Sequence, residues 1–116
     1  MVCLKFSKDE RLTRSKDIQR VYREGKRYQT QGMVMQVCSN SLEKTRVVFS
    51  ASKKVGTAVR RNRARRICSE VWRTLYKPWI TKWVDIVFII QPCQEETFEE
   101  RKKQMQILLK KAGLVL

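Results

Sequence analysis

The sequence predicts an α+β fold: a single domain ordered α-β-β-α-β-α, with helices packed on a mixed central sheet as a sandwich. Three observations carry this. Apolar residues recur at helical spacing in segments early, midway and late in the chain. Two runs rich in strand-forming residues, 33–38 and 46–51, lie between the first and second of these. VDIVFII (84–90) is a continuous apolar run of strand length. At 116 residues the chain can fill one hydrophobic core and not two.

Each element has its own signal. Ser15 is placed to cap a short helix running to Glu24, with Ile18, Val21 and Tyr22 on one face and Gly25 just past the end. MVMQVC (33–38) and RVVFSA (46–51) read as strands, and the polar SNSLEKT joining them suits a hairpin. In the second strand Val47, Phe49 and Ala51 point one way, and Arg46, Val48 and Ser50 the other. Gly56 and Thr57 open the next helix, from Ala58 to Tyr76. Ala64, Ile67, Cys68, Val71, Trp72 and Leu75 are its apolar stripe, and Pro78 stops it. A helix between 46–51 and 84–90 makes those strands parallel; the latter reads as a central strand buried on both faces. After Pro92 comes a last helix. Glu95, Glu96, Glu99 and Glu100 lie near its start and Lys110 and Lys111 near its end, the polarity a helix dipole favours. Phe98, Met105, Leu108 and Leu109 supply its apolar side.

Charge narrows the function. Lys and Arg total 26 against 11 Asp and Glu, a net charge of +15. Such an excess destabilises a compact chain by self-repulsion until a polyanion relieves it. Nucleic acid, an acidic protein and an anionic membrane are the options. The membrane is the weakest, because the longest apolar run, Ile86–Ile90, is far short of the roughly 20 residues of a spanning helix. MVCLKFSKDERL, at the N-terminus, lacks the apolar region of a secretory signal. Cys3, Cys38, Cys68 and Cys93 form no C-x-x-C, and there is no His, so a zinc site is not expected. They read as reduced thiols of a cytoplasmic protein, mostly small buried hydrophobes. The missing His also removes the commonest general base, so no catalytic residue is expected on this chain.

The densest charge lies in SKKVGTAVRRNRARRIC (52–68). Lys53, Lys54, Arg60, Arg61, Arg63, Arg65 and Arg66 occupy it with no acidic residue between them. A merely solvated cationic face is the plain alternative. Three features weigh against it. No Glu–Lys pairs at i,i+4 brace the segment, and Arg61 and Arg65 are like charges one turn apart. Arg outnumbers Lys five to two, and its planar fork suits phosphate. The cluster also sits on the first turns of a helix, where the dipole favours an anion over Arg. Nucleic acid is therefore the expected partner. A helix bearing Asn and Arg could enter a DNA major groove. Basic residues wrapping more than one face suit an irregular RNA better, though spacing leaves both open.

These residues resemble a known family. S-x-S-K-K-V-G-x-A-V-x-R-N-R-x-R-R, at Ser50 to Arg66, is similar to the RNR motif of the protein subunit of bacterial ribonuclease P. ERLTRSKDIQRVYREGKRY (10–28) is similar to its N-terminal segment, and VDIVFIIQP (84–92) to its third strand. The likeness spans nearly the whole chain. It implies a subunit that assists a catalytic RNA in removing the 5′ leader of precursor tRNA. Hydrolysis would be done by the RNA with magnesium bound mainly by it, and no protein partner is implied.

By that resemblance Lys53, Lys54, Arg60, Arg61, Asn62, Arg63, Arg65 and Arg66 would contact the catalytic RNA. Ile18, Tyr22, Gln36, Val48 and Ser50 would line a cleft for the single-stranded leader, which binds through cations and aromatic stacking. It also implies a left-handed crossover in a fold like domain 2 of ribosomal protein S5, against the usual right-handed rule. Four positions depart from the family pattern: Ile18 stands for Phe, Gln36 for Tyr, Gln91 for Arg and Thr57 for Asn. The cleft should then stack bases less well and lean on phosphate contacts. A structural RNA-binding protein, such as a ribosomal protein without a role in processing, is the competing reading, and a basic DNA-binding module a third.

Overall fold

The computed structural model describes residues 11–80 and 82–114, the Trp79 side chain excepted. Helix α1 (Ser15–Glu24) leads into strands β1 (Lys26–Thr30), β2 (Met33–Ser39) and β3 (Arg46–Ala51). A single 3-10 turn, Lys53–Val55, precedes α2 (Ala58–Val71); β4 (Val84–Ile90) and α3 (Phe98–Lys111) complete the order. The four strands form one mixed sheet in the order β1-β2-β4-β3. The α+β sandwich is thus present, with β3 and β4 parallel as expected and β4 central and buried.

The strand pairing differs from the expectation. β2 and β3 are not a hairpin, because β4 lies between them. The true hairpin is β1–β2, turning at Gly32, whose φ of 87° admits glycine without strain. β1 escaped the sequence reading because Lys26, Arg27 and Gln29 make KRYQT polar, as an edge strand can be. SNSLEKT instead carries the chain over the end of the sheet, where Asn40 Nδ2 donates to the Lys44 carbonyl at 3.0 Å.

The faces follow from alternation. Met33, Met35, Val47, Ile86, Phe88 and Ile90 point to one side and pack against α2 and α3. That face holds the main core, where the Phe49 and Phe88 rings stack at 5.1 Å and Trp72 tilts against Phe88 at 5.9 Å. Leu12, Val21, Cys38 and Val87 form a smaller cluster under α1 on the opposite face. Gly25 lets α1 end tightly against β2, since a Cβ there would fall 2.5 Å from the Val21 carbonyl oxygen and 2.7 Å from that of Val37.

The helices differ from the sequence pattern in detail. Arg14, not Ser15, occupies the N-cap of α1, without a side-chain cap bond. α2 ends at Val71, before Pro78. It widens into a π-helical turn at Trp72–Tyr76, and Pro78 sits inside the 3-10 turn Lys77–Trp79. Phe98 is largely exposed rather than part of the α3 stripe. Arg101 takes the inward place instead. Cys38 and Cys68 are buried free thiols and Cys93 is half-buried, while Cys3 lies outside the described residues.

Candidate RNA interface

The basic helix is built from its cap upward. Thr57 accepts a hydrogen bond from the Arg60 amide at 3.3 Å, and Ser52 likewise caps the preceding turn through the Lys54 amide at 3.2 Å. Ala64, Cys68 and Val71 pin α2 to the sheet. Burial lifts the Cys68 thiol to a pKa of about 12, as expected of a packing residue without chemistry. The apolar stripe forces the cations outward: Lys53, Lys54, Arg60, Asn62, Arg63 and Arg66 are exposed and Arg61 and Arg65 half-buried.

Outward is not one direction. Arg60 and Arg63 line a cavity of about 350 Å³ with Val55 and the segment Pro92–Gln94 that follows β4. Asn62, Arg65, Arg66, Ser69 and Arg73, at i, i+3, i+4, i+7 and i+11, line a separate groove of about 590 Å³ that Arg11 closes. Arg65 is oriented there by the Asn62 side chain, which accepts from its Nη2. Arg61 lines neither space, and its Nε is buried with no acceptor among the described residues.

The expected cleft residues also come together. Gln36, Val87 and Val48 are partners in one row across β2, β4 and β3, and Val34, Ile89 and Ser50 in the next. All six point to the face that carries α1. Ile18, Val48 and Ile89 each pack against the small cluster, while Tyr22 stands 45% exposed on the helix rim. Gln36 is 9% exposed, so it forms the floor rather than a reaching contact.

What holds α1 over that face was not read from the sequence. Asp85 is fully buried and accepts from Arg20 Nη2, Asn40 Nδ2 and Arg46 Nε at 2.8 Å each, and from Arg46 Nη2 at 2.7 Å. Burial pushes its pKa up, but the hydrogen bonds from Arg46 and Asn40, the Arg46 charge and the Arg20 bond outweigh it. The carboxyl is held below its ordinary value. Arg46 also reaches Asp17 on α1 at 3.3 Å. An acid inside VDIVFII was the available signal, because a buried carboxylate requires partners.

A second network fixes α3. Arg101, fully buried, donates from Nε and Nη2 to Glu96 at 2.7 Å each and from Nη1 to the Gly32 carbonyl at 2.8 Å. Its spacing to Met105, Leu108 and Leu109 (i, i+4, i+7, i+8) marked it as inward-facing.

No three His, Cys, Asp or Glu side chains converge as metal ligands among the described residues. The oxygens of Asp85, the one buried carboxylate described, are occupied by Arg20, Arg46 and Asn40. That carboxylate is therefore not available to a metal ion.

Comparison with known proteins decides the family. Residues 6–113 match the Ribonuclease P family model. The chain belongs to the ribonuclease P protein family. The ribonuclease P protein component of Clostridium novyi is 37% identical over 112 residues, covering 94% of this chain and 98% of that protein. The component of Dictyoglomus turgidum is 34% identical over 113 residues, covering 95% and 94%. Among solved structures, Staphylococcus aureus RNase P protein superposes with a TM-score of 0.82 at 28% identity, covering 92% of this chain and 98% of that one. RNase P protein from Thermotoga maritima gives 0.76 at 29% identity, covering 88% and 96%. As a ribonuclease P protein, the chain is the protein subunit of the endoribonuclease that matures tRNA 5′ ends, working with that enzyme's RNA.

Proposed function

We propose that α2 docks the ribonuclease P RNA and that the face between α1 and the sheet receives the 5′ leader of precursor tRNA. Lys53, Lys54 and the arginines from Arg60 to Arg66 neutralise RNA phosphates, while Asn62 orients Arg65. The single observation that supports this most is the placement of Ile18, Tyr22, Gln36, Val48 and Ser50. The fold gathers residues from α1, β2 and β3 onto one face, on the other side of the sheet from α2. The protein supplies positive charge and a shaped surface; hydrolysis and its magnesium belong to the RNA. Among the described residues no helix is long and apolar enough to cross a membrane. The buried free thiols Cys38 and Cys68 support a reducing, cytoplasmic setting.

Reconstitution with the RNA subunit from the same source tests the proposal. The protein alone should cleave nothing, and adding it should restore precursor-tRNA processing to the RNA at low magnesium. Cleavage without any RNA subunit would overturn it. Tight binding to ribosomal RNA with no effect on processing would favour a structural RNA-binding role.

A further inference from the structure

The basic cluster of α2 is divided between two separate spaces. Asn62, Arg65 and Arg66 line the groove of about 590 Å³. Arg60 and Arg63 line the cavity of about 350 Å³ and no part of that groove. Exposed guanidinium groups meet phosphates on any open surface. A cavity adds enclosure, which only an inserted group can use.

The cavity is held open by the protein itself. One wall is the link from β4 to α3, and buried Arg101 brackets it. Its Nη2 donates to the Gln91 carbonyl at 3.1 Å before the wall, and its Nε and Nη2 donate to Glu96 at 2.7 Å each at the far end. Between these anchors the Cys93 thiol donates to the Glu95 carbonyl at 3.1 Å. Val55 of the 3-10 turn, with Arg60 and Arg63 of α2, supplies the rest of the lining. Walls fixed in advance spare a ligand the entropy of ordering them.

Its chemistry suits one kind of occupant. The volume is at the low end of small-ligand pockets, about 300–1,000 Å³, so a flat group can enter and a paired helix cannot. Glu96 is the acid of the lining, and both its oxygens are held by Arg101. Arg60 and Arg63 have no acidic partner among the described residues, so an anion is favoured. A bare phosphate would leave the apolar surfaces of Val55 and Pro92 unused. The Gln94 amide can both donate to and accept from a base edge. Cations, apolar surface and an amide together form the set that takes a base splayed out of single-stranded RNA. We propose that this cavity receives one unstacked nucleotide of the ribonuclease P RNA. Its base lies against Val55 and Pro92, its phosphates meet Arg60 and Arg63, and Gln94 reads the base edge. This rests on the docking of α2 to that RNA proposed above.

The reconstituted holoenzyme tests it. On the unaltered protein, iodoacetamide labelling of Cys93, mapped by mass spectrometry, should be slowed when the RNA subunit binds. Ultraviolet crosslinking should join the Cys93 peptide to a nucleotide outside the RNA helices. Cys93→Trp fills the cavity without changing charge, and should weaken binding of the RNA subunit about tenfold, the low end for losing one base contact. Removing the base at the crosslinked position should cause the same loss, and the two changes together no more than either alone. Labelling of Cys93 as fast in the holoenzyme as in the free protein overturns the cavity, even if the Trp variant does not fold. So do crosslinks to paired helices alone, full affinity in a folded Cys93→Trp protein, or additive losses. Binding of the RNA by the wild-type protein separates the two levels. If it is absent, the docking reading itself fails; if it is present and Cys93 stays fully reactive, only the cavity fails.

Discussion

Arg46 and Asp85 are partners in the parallel β3–β4 register, and the guanidinium meets both carboxylate oxygens, Nε to Oδ1 at 2.8 Å and Nη2 to Oδ2 at 2.7 Å. Arg20 closes the same carboxylate from α1. One buried charge therefore joins β3 and β4 to helix α1. Asp85→Asn keeps the shape but leaves two guanidinium groups against a neutral amide. It should lower stability by about 3–5 kcal/mol, the cost of breaking a buried pair from one side. Urea unfolding followed by circular dichroism measures this; a loss under 1 kcal/mol would show that the pair contributes little beyond desolvation.

The same carboxylate sets an acid limit. Its folded pKa lies below the ordinary value, so its contribution is fully present above the unfolded value of about 3.9 and is lost as pH falls through the lower folded one. The wild-type urea midpoint should drop below about pH 4 more steeply than that of Asp85→Asn. Parallel pH profiles would remove Asp85 as the group responsible.

Gly32 offers a test of the other network. Its φ is 87°, and a Cβ there would lie 2.5 Å from Gln104 Nε2. Its carbonyl accepts from Arg101 Nη1 at 2.8 Å and from the Gln91 amide at 3.0 Å. Gly32→Ala strains the turn and displaces Gln104 from Arg101. A loss of about 1–3 kcal/mol is expected, about half from the backbone. Unchanged thermal melting would mean that the turn relaxes freely.

The elements most legible in the sequence were those whose periodicity burial enforces. β4 reads as central because six of its seven side chains are buried, and α2 because Ala64, Cys68 and Val71, with Trp72 just after it, must all face the sheet. Strand order was less legible. Whether 33–38 pairs with 46–51 or admits β4 between them depends on non-local pairing, which the local turn signal in SNSLEKT cannot report. β1 was missed because polar residues on an edge strand carry no apolar alternation. At the site, the basic residues stood out by charge alone. The residues that place them did not. Asp85, Arg20 and Arg101 act through partners 5 to 69 positions away in sequence, which no local pattern encodes.

Within the basic cluster of α2, Arg65 is half-buried and bonded to Asn62. Arg65→Ala should weaken binding of the ribonuclease P RNA. It should also flatten the slope of log K against log salt by somewhat less than one, the signature of one lost phosphate contact. Titrations at several salt concentrations measure both. An unchanged slope would make Arg65 part of a solvated face.

Tyr22 separates leader recognition from packing. At 45% exposure on the rim of α1, its ring contributes little to the small core formed by Leu12, Val21, Cys38 and Val87. Tyr22→Ala should leave the melting temperature nearly unchanged. If a leader base stacks on the ring, precursor tRNA should bind more weakly by about 1 kcal/mol, the low end for a single base on an aromatic face. The lower figure is expected because Ile18 and Gln36 give the base no second aromatic surface. Mature tRNA, having no leader, should bind as before. Equal weakening of both substrates would move Tyr22 out of the leader face, and a fall in melting temperature with it would assign the ring to packing.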